Sequence, residues 1–291
     1  MQNRKLCGEY ISALGLGTGR LASLGAGYTR RDALQCLFAA AEGGINLIDT
    51  ADSYGSGDCE RLLGRLLREV HHPFLISTKA GYVYCRLPAF FSPLNQLGKK
   101  VLHRIGRRQC FEAKFIIKNM EHSLKRLCRE QVDFFFLHDP TPEALADDAL
   151  VRGLLAAQQA GKVRHIGISF SPGIGLNIPP SHPFASLLQT HVNPWTFPLN
   201  RLKGHEIVAN HIFGGSSFFE HFGLLSELAR NEGISPRQLL VAYAIQRPSV
   251  KVTLVGTGRA EHLRENFGAL GRELSLETLQ RLQAVGGANG V

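Results

Sequence analysis

Six polar residues stand where apolar runs of the chain stop. Asp49 closes "INLID" and Tyr54 follows in a short polar turn. Lys79 comes directly after "LIST". His138 closes "VDFFFLH", Ser169 closes "VRHIGIS", and Gln189 lies inside "SLLQTHV". Together these types support one kind of chemistry. A phenol with an ordinary pKa of about 10 is a poor acid–base group at neutral pH. A lysine ammonium beside it favours the phenolate and is expected to lower that value. A carboxylate paired with the lysine keeps it charged and in place, since an isolated buried cation is costly. A neutral imidazole can then hydrogen-bond and orient a substrate oxygen. The reaction that suits the set is proton transfer at a carbonyl oxygen coupled to hydride transfer at its carbon. Taken singly, each residue has an ordinary structural use as a cap, a packed ring or a surface charge. Their joint occurrence at successive run ends carries the reading.

Bringing them together requires a particular scaffold. Short β-rich runs fall at 11–17, 45–49, 73–78, 132–138, 163–169, 186–192, 205–213 and 252–257. Amphipathic helical patterns lie between most of them, at 30–44, 58–70, 114–128, 146–161 and 235–247. In the last of these, Ser235 is set as N-cap with Pro236 at the first helical position. Eight strand–helix alternations with nearly all-apolar strands predict an α/β fold, a (β/α)8 TIM barrel, in which side chains at the C-terminal strand ends converge on one mouth. No linker-like stretch splits the chain, so residues 1–291 are expected to form a single domain. "SPGIGLNIPPSHPF" and "NPWTFPLNRLKG" are poor helices. The fifth and sixth barrel helices are therefore expected to be short or missing. The segment 81–113 exceeds a tight connection and is expected to be a long loop over the active site.

Composition narrows the class further. The chain has 291 residues, 44% of them hydrophobic, enough for a large core. No apolar run approaches the roughly 20 residues of a bilayer span. The start "MQNRKLCGEY" lacks a signal-peptide core, and the cysteines include no CxxC pair. These features predict a cytoplasmic protein with reduced thiols, no metal site and no membrane partner. The net charge of +9 favours an anionic partner or substrate. Its densest cluster is Lys99, Lys100, Arg104, Arg107 and Arg108. This segment is expected to attract an anionic or carrier-tethered substrate. No pattern points to nucleic acid.

With "LGLGTGRL", "NLIDTADSYG", "LISTKAG", "SLKRLCREQVDFFFLHDP", "GKVRHIGIS" and "LVGTGRAEHLRENFGAL", the sequence resembles the aldo-keto reductase family from residue 14 to about 285. It looks nearest to the sugar and pyridoxal dehydrogenase and potassium-channel β-subunit branches. The resemblance implies an NAD(P)H-dependent oxidoreductase acting on a small carbonyl or alcohol substrate. Its catalytic tetrad falls on Asp49, Tyr54, Lys79 and His138, with Tyr54 as general acid in reduction and general base in oxidation. It implies an extended NADP, with NAD as the alternative, held by Gly17, Thr18, Asp49, Ser169, Gln189, Gly214, Gly256, Thr257, Arg259, His262, Glu265 and Asn266. A helix N-terminus after Thr257 suits a phosphate. The sequence departs from the family pattern in three places. Phe170 stands where Asn is frequent, and Asn210 with His211 where an aromatic ring stacks on nicotinamide. Gly256 and His262 replace the basic pair for a 2′-phosphate, with Arg259 and Arg264 near enough to substitute. These departures also admit a second reading, a cofactor-binding sensor module with little turnover.

Overall fold

The computed structural model describes residues 2–21, 28–84, 109–171, 178–196, 202 and 204–287. Eight parallel strands close a barrel: β3 (Leu14–Gly17), β4 (Leu47–Asp49), β5 (Leu75–Ala80), β6 (Val132–His138), β7 (Val163–Phe170), β8 (Leu187–His191), β9 (Glu206–Asn210) and β10 (Val250–Gly256). Each pairs with the next, and β10 pairs with β3 to close the ring. Around it run α1 (Arg30–Glu42), α2 (Asp58–Val70), α3 (Ala113–Leu127), α4 (Pro142–Leu145), α5 (Asp148–Gln159), α6 (Ser217–Glu220), α7 (Phe222–Asn231), α8 (Pro236–Ile245), α9 (Ala260–Phe267) and α10 (Leu276–Gly287). The predicted (β/α)8 TIM barrel is the observed fold. The described residues of the connections from β7 to β8 and from β8 to β9 hold no α-helix, as their Pro- and Gly-rich sequences predict.

Helix starts follow the local chemistry. Ser235 accepts from the Gln238 amide while the Gln238 side chain accepts from the Ser235 amide, and Pro236 fills the first turn of α8. Thr29 and Asp32 make the same reciprocal cap at the start of α1. Side chains along a strand alternate between the barrel interior and the helical layer. Leu47, Phe134, Phe136, Leu187, Val208, Val252 and Leu254 fill the inside as one cluster. Continuing that alternation upward brings Asp49 and His138 to the inner side of the mouth.

One predicted strand was two. The run 11–17 is divided by Ala13. Residues up to Ser12 belong to an antiparallel hairpin of β1 (Asn3–Leu6) and β2 (Glu9–Ser12), and the barrel strand begins at Leu14. Cys7 and Gly8 both take positive φ, 50° and 88°, the primed-turn geometry that matches strand twist. The hairpin lies across the N-terminal end of the barrel, where Leu6 and Ile11 join the interior cluster. The run 205–213 is likewise shorter than predicted. It stops at Asn210 because His211 turns into the left-handed region at φ 49°.

The ends of the 81–113 connection are tied together. Tyr82 and Gln109 form an antiparallel bridge, and the Cys110 amide donates to the Gly81 carbonyl at 2.9 Å. The basic segment 99–108 lies outside the described residues. Among the described residues, no helix is long and apolar enough to cross a membrane.

Candidate active site

Asp49 ends β4 and is 3% exposed. Its carboxylate is the hub of the mouth. Oδ2 accepts from Lys79 Nζ at 2.6 Å, and Oδ1 accepts from Ser77 Oγ at 2.8 Å and from Gln189 Nε2 at 2.9 Å. Lys79, on β5, is 1% exposed and also donates to the Thr50 carbonyl at 2.8 Å. Burial works against its charge. The Asp49 carboxylate and the Tyr54 phenol outweigh that effect, so the ammonium is held above its ordinary value. A fully buried lysine is thus kept cationic by a carboxylate in direct contact.

Tyr54 opens a short 3-10 turn, Tyr54–Gly57, between β4 and α2. The Lys79 ammonium lies 5.3 Å from the centre of its ring. The expected lowering of the Tyr54 pKa needs correction. Burial is the larger effect and raises it, with the Lys79 charge acting in the opposite direction. Desolvating a phenolate costs more here than one adjacent cation returns, so Tyr54 is held as a neutral, proton-bearing donor. His138 ends β6 and presents its ring edge-on to Tyr54, centroids 6.5 Å apart at 83°. Tyr82 also packs edge-on against the imidazole, centroids 4.8 Å apart, and its hydroxyl donates to Asp139 Oδ2. The four residues singled out in the sequence therefore meet at one mouth.

The structure adds Ser77, which sequence reasoning missed, and contacts of Thr18 and Gln189 that it did not foresee. Ser77 sits two positions before Lys79 and so faces the same side of β5; that spacing was a usable signal. Thr18 is engaged with the backbone of this site, its amide and hydroxyl both donating to the Asp49 carbonyl at 2.9 Å. Gln189 bridges the site from the far wall. Its Oε1 accepts from Ser169 Oγ at 2.9 Å while its Nε2 holds Asp49. Nothing in the local sequence signals a contact across 140 residues.

Two of the residues named for a nicotinamide dinucleotide lie at the C-terminal strand ends. Gly17 and Gly256 are register partners at the ends of β3 and β10. A Cβ on either would meet only backbone atoms, so they leave an open, side-chain-free cradle. Gly256 runs into Thr257, whose hydroxyl accepts from the Arg259 amide at 3.1 Å and shapes the entry to α9. Asn266 is 3% exposed, and its Oδ1 has no donor among the described residues. A buried acceptor left open at this rim fits a hydroxyl or amine of a bound group. The set thus fits a dinucleotide. Glu265 is already engaged, accepting from Ser235 Oγ at 2.8 Å and tying α9 to α8. His262 is exposed on α9. Arg259 and Arg264 line a cavity of about 500 Å³ with Asp32, Glu42 and Glu261, and Arg264 pairs with Glu42 at 3.1 Å. Gly214 lies against Trp195, where a Cβ would meet the indole nitrogen.

At the departures from the family pattern, His211 stacks on His191, centroids 4.4 Å apart at 21°. Burial and the neighbouring His211 push His191 down to about 4, with Asp139 opposing. Phe170 ends β7 and is half-buried.

The family model for the Aldo/keto reductase family matches residues 13–176 and 175–286. An uncharacterized oxidoreductase of Schizosaccharomyces pombe is 25% identical over 288 residues, covering 95% of this chain and 87% of that protein. Pyridoxal 4-dehydrogenase of Microbacterium luteolum is 32% identical over 179 residues, 55% of this chain and 52% of that enzyme. Among solved structures, an aldo-keto reductase from Bacillus halodurans in its holo form superposes with a TM-score of 0.77 at 20% identity, over 98% of this chain and 96% of that one, which establishes the shared fold. A match spanning nearly the whole barrel, on a mouth built around a buried carboxylate–ammonium pair, establishes that the chain belongs to the aldo/keto reductase family of NAD(P)-dependent oxidoreductases.

Proposed function

We propose that the protein reduces an aldehyde or ketone to an alcohol, with Tyr54 as the proton donor. The observation that carries this reading is the Tyr54 phenol beside the Lys79 ammonium, which is itself locked to Asp49 at 2.6 Å in a buried site. NAD(P)H, when bound at the rim, would supply the hydride. The chain's own residues do the rest. Tyr54, neutral because burial raises its pKa, hydrogen-bonds the carbonyl oxygen and yields its proton as negative charge develops there. The Lys79 charge beside the phenol favours its ionised form, so it stabilises the phenolate left behind. Asp49 keeps Lys79 charged, and Ser77 and Gln189 keep Asp49 oriented. His138, in edge-on contact with both Tyr54 and Tyr82, is suited to orient the carbonyl by a second hydrogen bond.

Ser169 and Gln189 are the groups we assign to the carboxamide of the nicotinamide, and Gly256 to Arg259 with the start of α9 to the phosphates. NADP is our preferred cofactor over NAD. Arg264 is already paired with Glu42, which makes Arg259 the nearer candidate for a 2′-phosphate. Titration of NADPH against NADH tests that preference, and equal affinities would end it. The activity test is oxidation of NADPH in the presence of a reactive nitrobenzaldehyde. Turnover that Tyr54→Phe abolishes is the expected result. Undiminished turnover in Tyr54→Phe would remove Tyr54 from the chemistry. Tight cofactor binding without turnover over a broad carbonyl panel would instead make the chain a cofactor-reading module.

A further inference from the structure

Tyr54 is the first residue of a turn with unusual backbone. Gly55, Ser56 and Gly57 follow it with φ of 58°, 57° and 89°, three consecutive residues in the left-handed region. Ser56 carries a side chain and is 3% exposed. Such a conformation costs free energy at a non-glycine residue and persists only where the surroundings impose it. The direction in which Tyr54 leaves the turn therefore depends on whatever clamps the turn from outside.

The clamp is a buried ion pair from two other elements. Arg126, near the end of α3, packs on Gly57, where a Cβ would lie 3.0 Å from its Cδ and Nε. Its Nε donates to Glu60 Oε2 at 2.7 Å, and its terminal nitrogen donates to Ser123 Oγ at 3.1 Å. Glu60, on the first turn of α2, is fully buried, and its other oxygen accepts from Thr78 Oγ1 at 2.6 Å. Thr78 immediately precedes Lys79 on β5. The Asp52 amide, two residues before Tyr54, donates to the Lys79 carbonyl at 3.0 Å. One guanidinium thus bears on the turn that carries the phenol, and its carboxylate partner bears on the strand that carries the ammonium. Neither Arg126 nor Glu60 contacts the reacting groups.

We propose that Arg126, through Glu60, is a positioning residue for catalysis: it fixes the left-handed turn after Tyr54 and the Thr78–Lys79 segment relative to each other, and so sets the approach of the phenol to the ammonium. The inference rests on the proposed role of Tyr54. A merely structural ion pair would alter the amount of folded protein and leave the rate per folded molecule unchanged. A positioning pair alters that rate, because displacing a reacting group by about 1 Å can cost roughly 100-fold.

The test uses three full-length variants. Arg126→Met removes the cation. Arg126→Lys keeps the charge without the planar fork that spans Glu60 and Gly57. The double variant Arg126→Met with Glu60→Gln removes both charges of the pair, so that Glu60 is not left as a buried carboxylate without its cation. Carbonyl-dependent NADPH oxidation is measured per folded molecule, beside the Kd for NADPH and a crystal structure of the double variant. We expect kcat to fall about 10- to 100-fold in the double variant, with the NADPH Kd within about twofold of the parent, and Arg126→Lys to fall between the two. In the crystal the Tyr54 ring is displaced from Lys79 by about 1 Å or more. A double variant with parental kcat and an unmoved Tyr54 ring overturns the inference. If the parent protein itself turns over no carbonyl, the reading of Tyr54 as proton donor fails separately. The crystal structure then decides the inference alone: a displaced ring upholds it and an unmoved ring ends it.

Discussion

A neutral phenol beside a charged ammonium defines what the site does at each pH. The folded protein raises the pKa of Tyr54, through burial, and that of Lys79, through Asp49 and Tyr54. A general acid must hold its proton to act, so a raised pKa extends the working range upward. We expect the reductive kcat to be level from about pH 6 to about pH 9 and to fall only above the ordinary phenol value of about 10, as Tyr54 loses its proton. A pH profile of single-turnover reduction checks this, and a fall centred near neutrality would mean that another group controls the step. Tyr54→Phe removes the proton and is expected to lower kcat by about 100- to 10,000-fold with little change in cofactor affinity. Asp49, Tyr54, Lys79 and His138 were legible because each stands at or beside the end of an apolar run. Ser77 was within reach of the same logic. Glu60, Arg126 and the bond from Gln189 to Asp49 were not, since these partners are brought near only by the closed barrel.

At the scale of elements, β8 and β9 carry the feature whose behaviour differs most from an ordinary surface. His191 ends β8 and His211 follows β9, and the two rings stack at 4.4 Å. Burial and His211 depress His191 to about 4, with Asp139 acting the other way. Burial and Arg20 also depress His211. A base whose folded pKa lies below its unfolded value of about 6.5 takes up its proton first in the unfolded chain. The stability it contributes is present above about pH 6.5 and is lost as the pH falls toward 4. Urea unfolding midpoints measured from pH 7 down to pH 4.5 should fall over that range. His191→Phe keeps a ring to stack on His211 and cannot be protonated, so its midpoint should decline less; parallel curves would exclude the pair as the cause. The sequence placed both strands but ran the second to residue 213. The turn at His211 has positive φ without glycine, and no residue type announces that reliably. The caps of α1 and α8, by contrast, rest on chemistry within four residues and could be read directly.

The molecule as a whole separates stability from function along the barrel axis. The C-terminal strand ends carry the polar mouth. The N-terminal end is closed by the β1–β2 hairpin, whose Leu6 and Ile11 are fully buried against the interior cluster of Phe134, Phe136, Leu187, Val208 and Val252. The hairpin is also tied to the barrel by Arg4, which donates to the Val250 carbonyl at 2.6 Å and the Ile245 carbonyl at 2.9 Å. Eight residues of alternating exposure around a two-residue turn gave this plug a weak signature, and its partner strand is continuous in composition with β3, which is why the two were merged in the sequence. Leu6→Ala leaves a cavity at the bottom of a close-packed interior and should cost about 2–4 kcal/mol of stability. The same substitution lies at the opposite end of the strands from Asp49 and Lys79, and parallel barrels keep chemistry at one end only. Urea unfolding should therefore show a lowered midpoint with an unchanged slope, while kcat and KM at a temperature where the variant is folded stay at parental values. A loss of kcat in folded Leu6→Ala would mean that packing at the closed end is transmitted to the mouth, and the division of the barrel into a stabilising end and a reacting end would not hold for this protein.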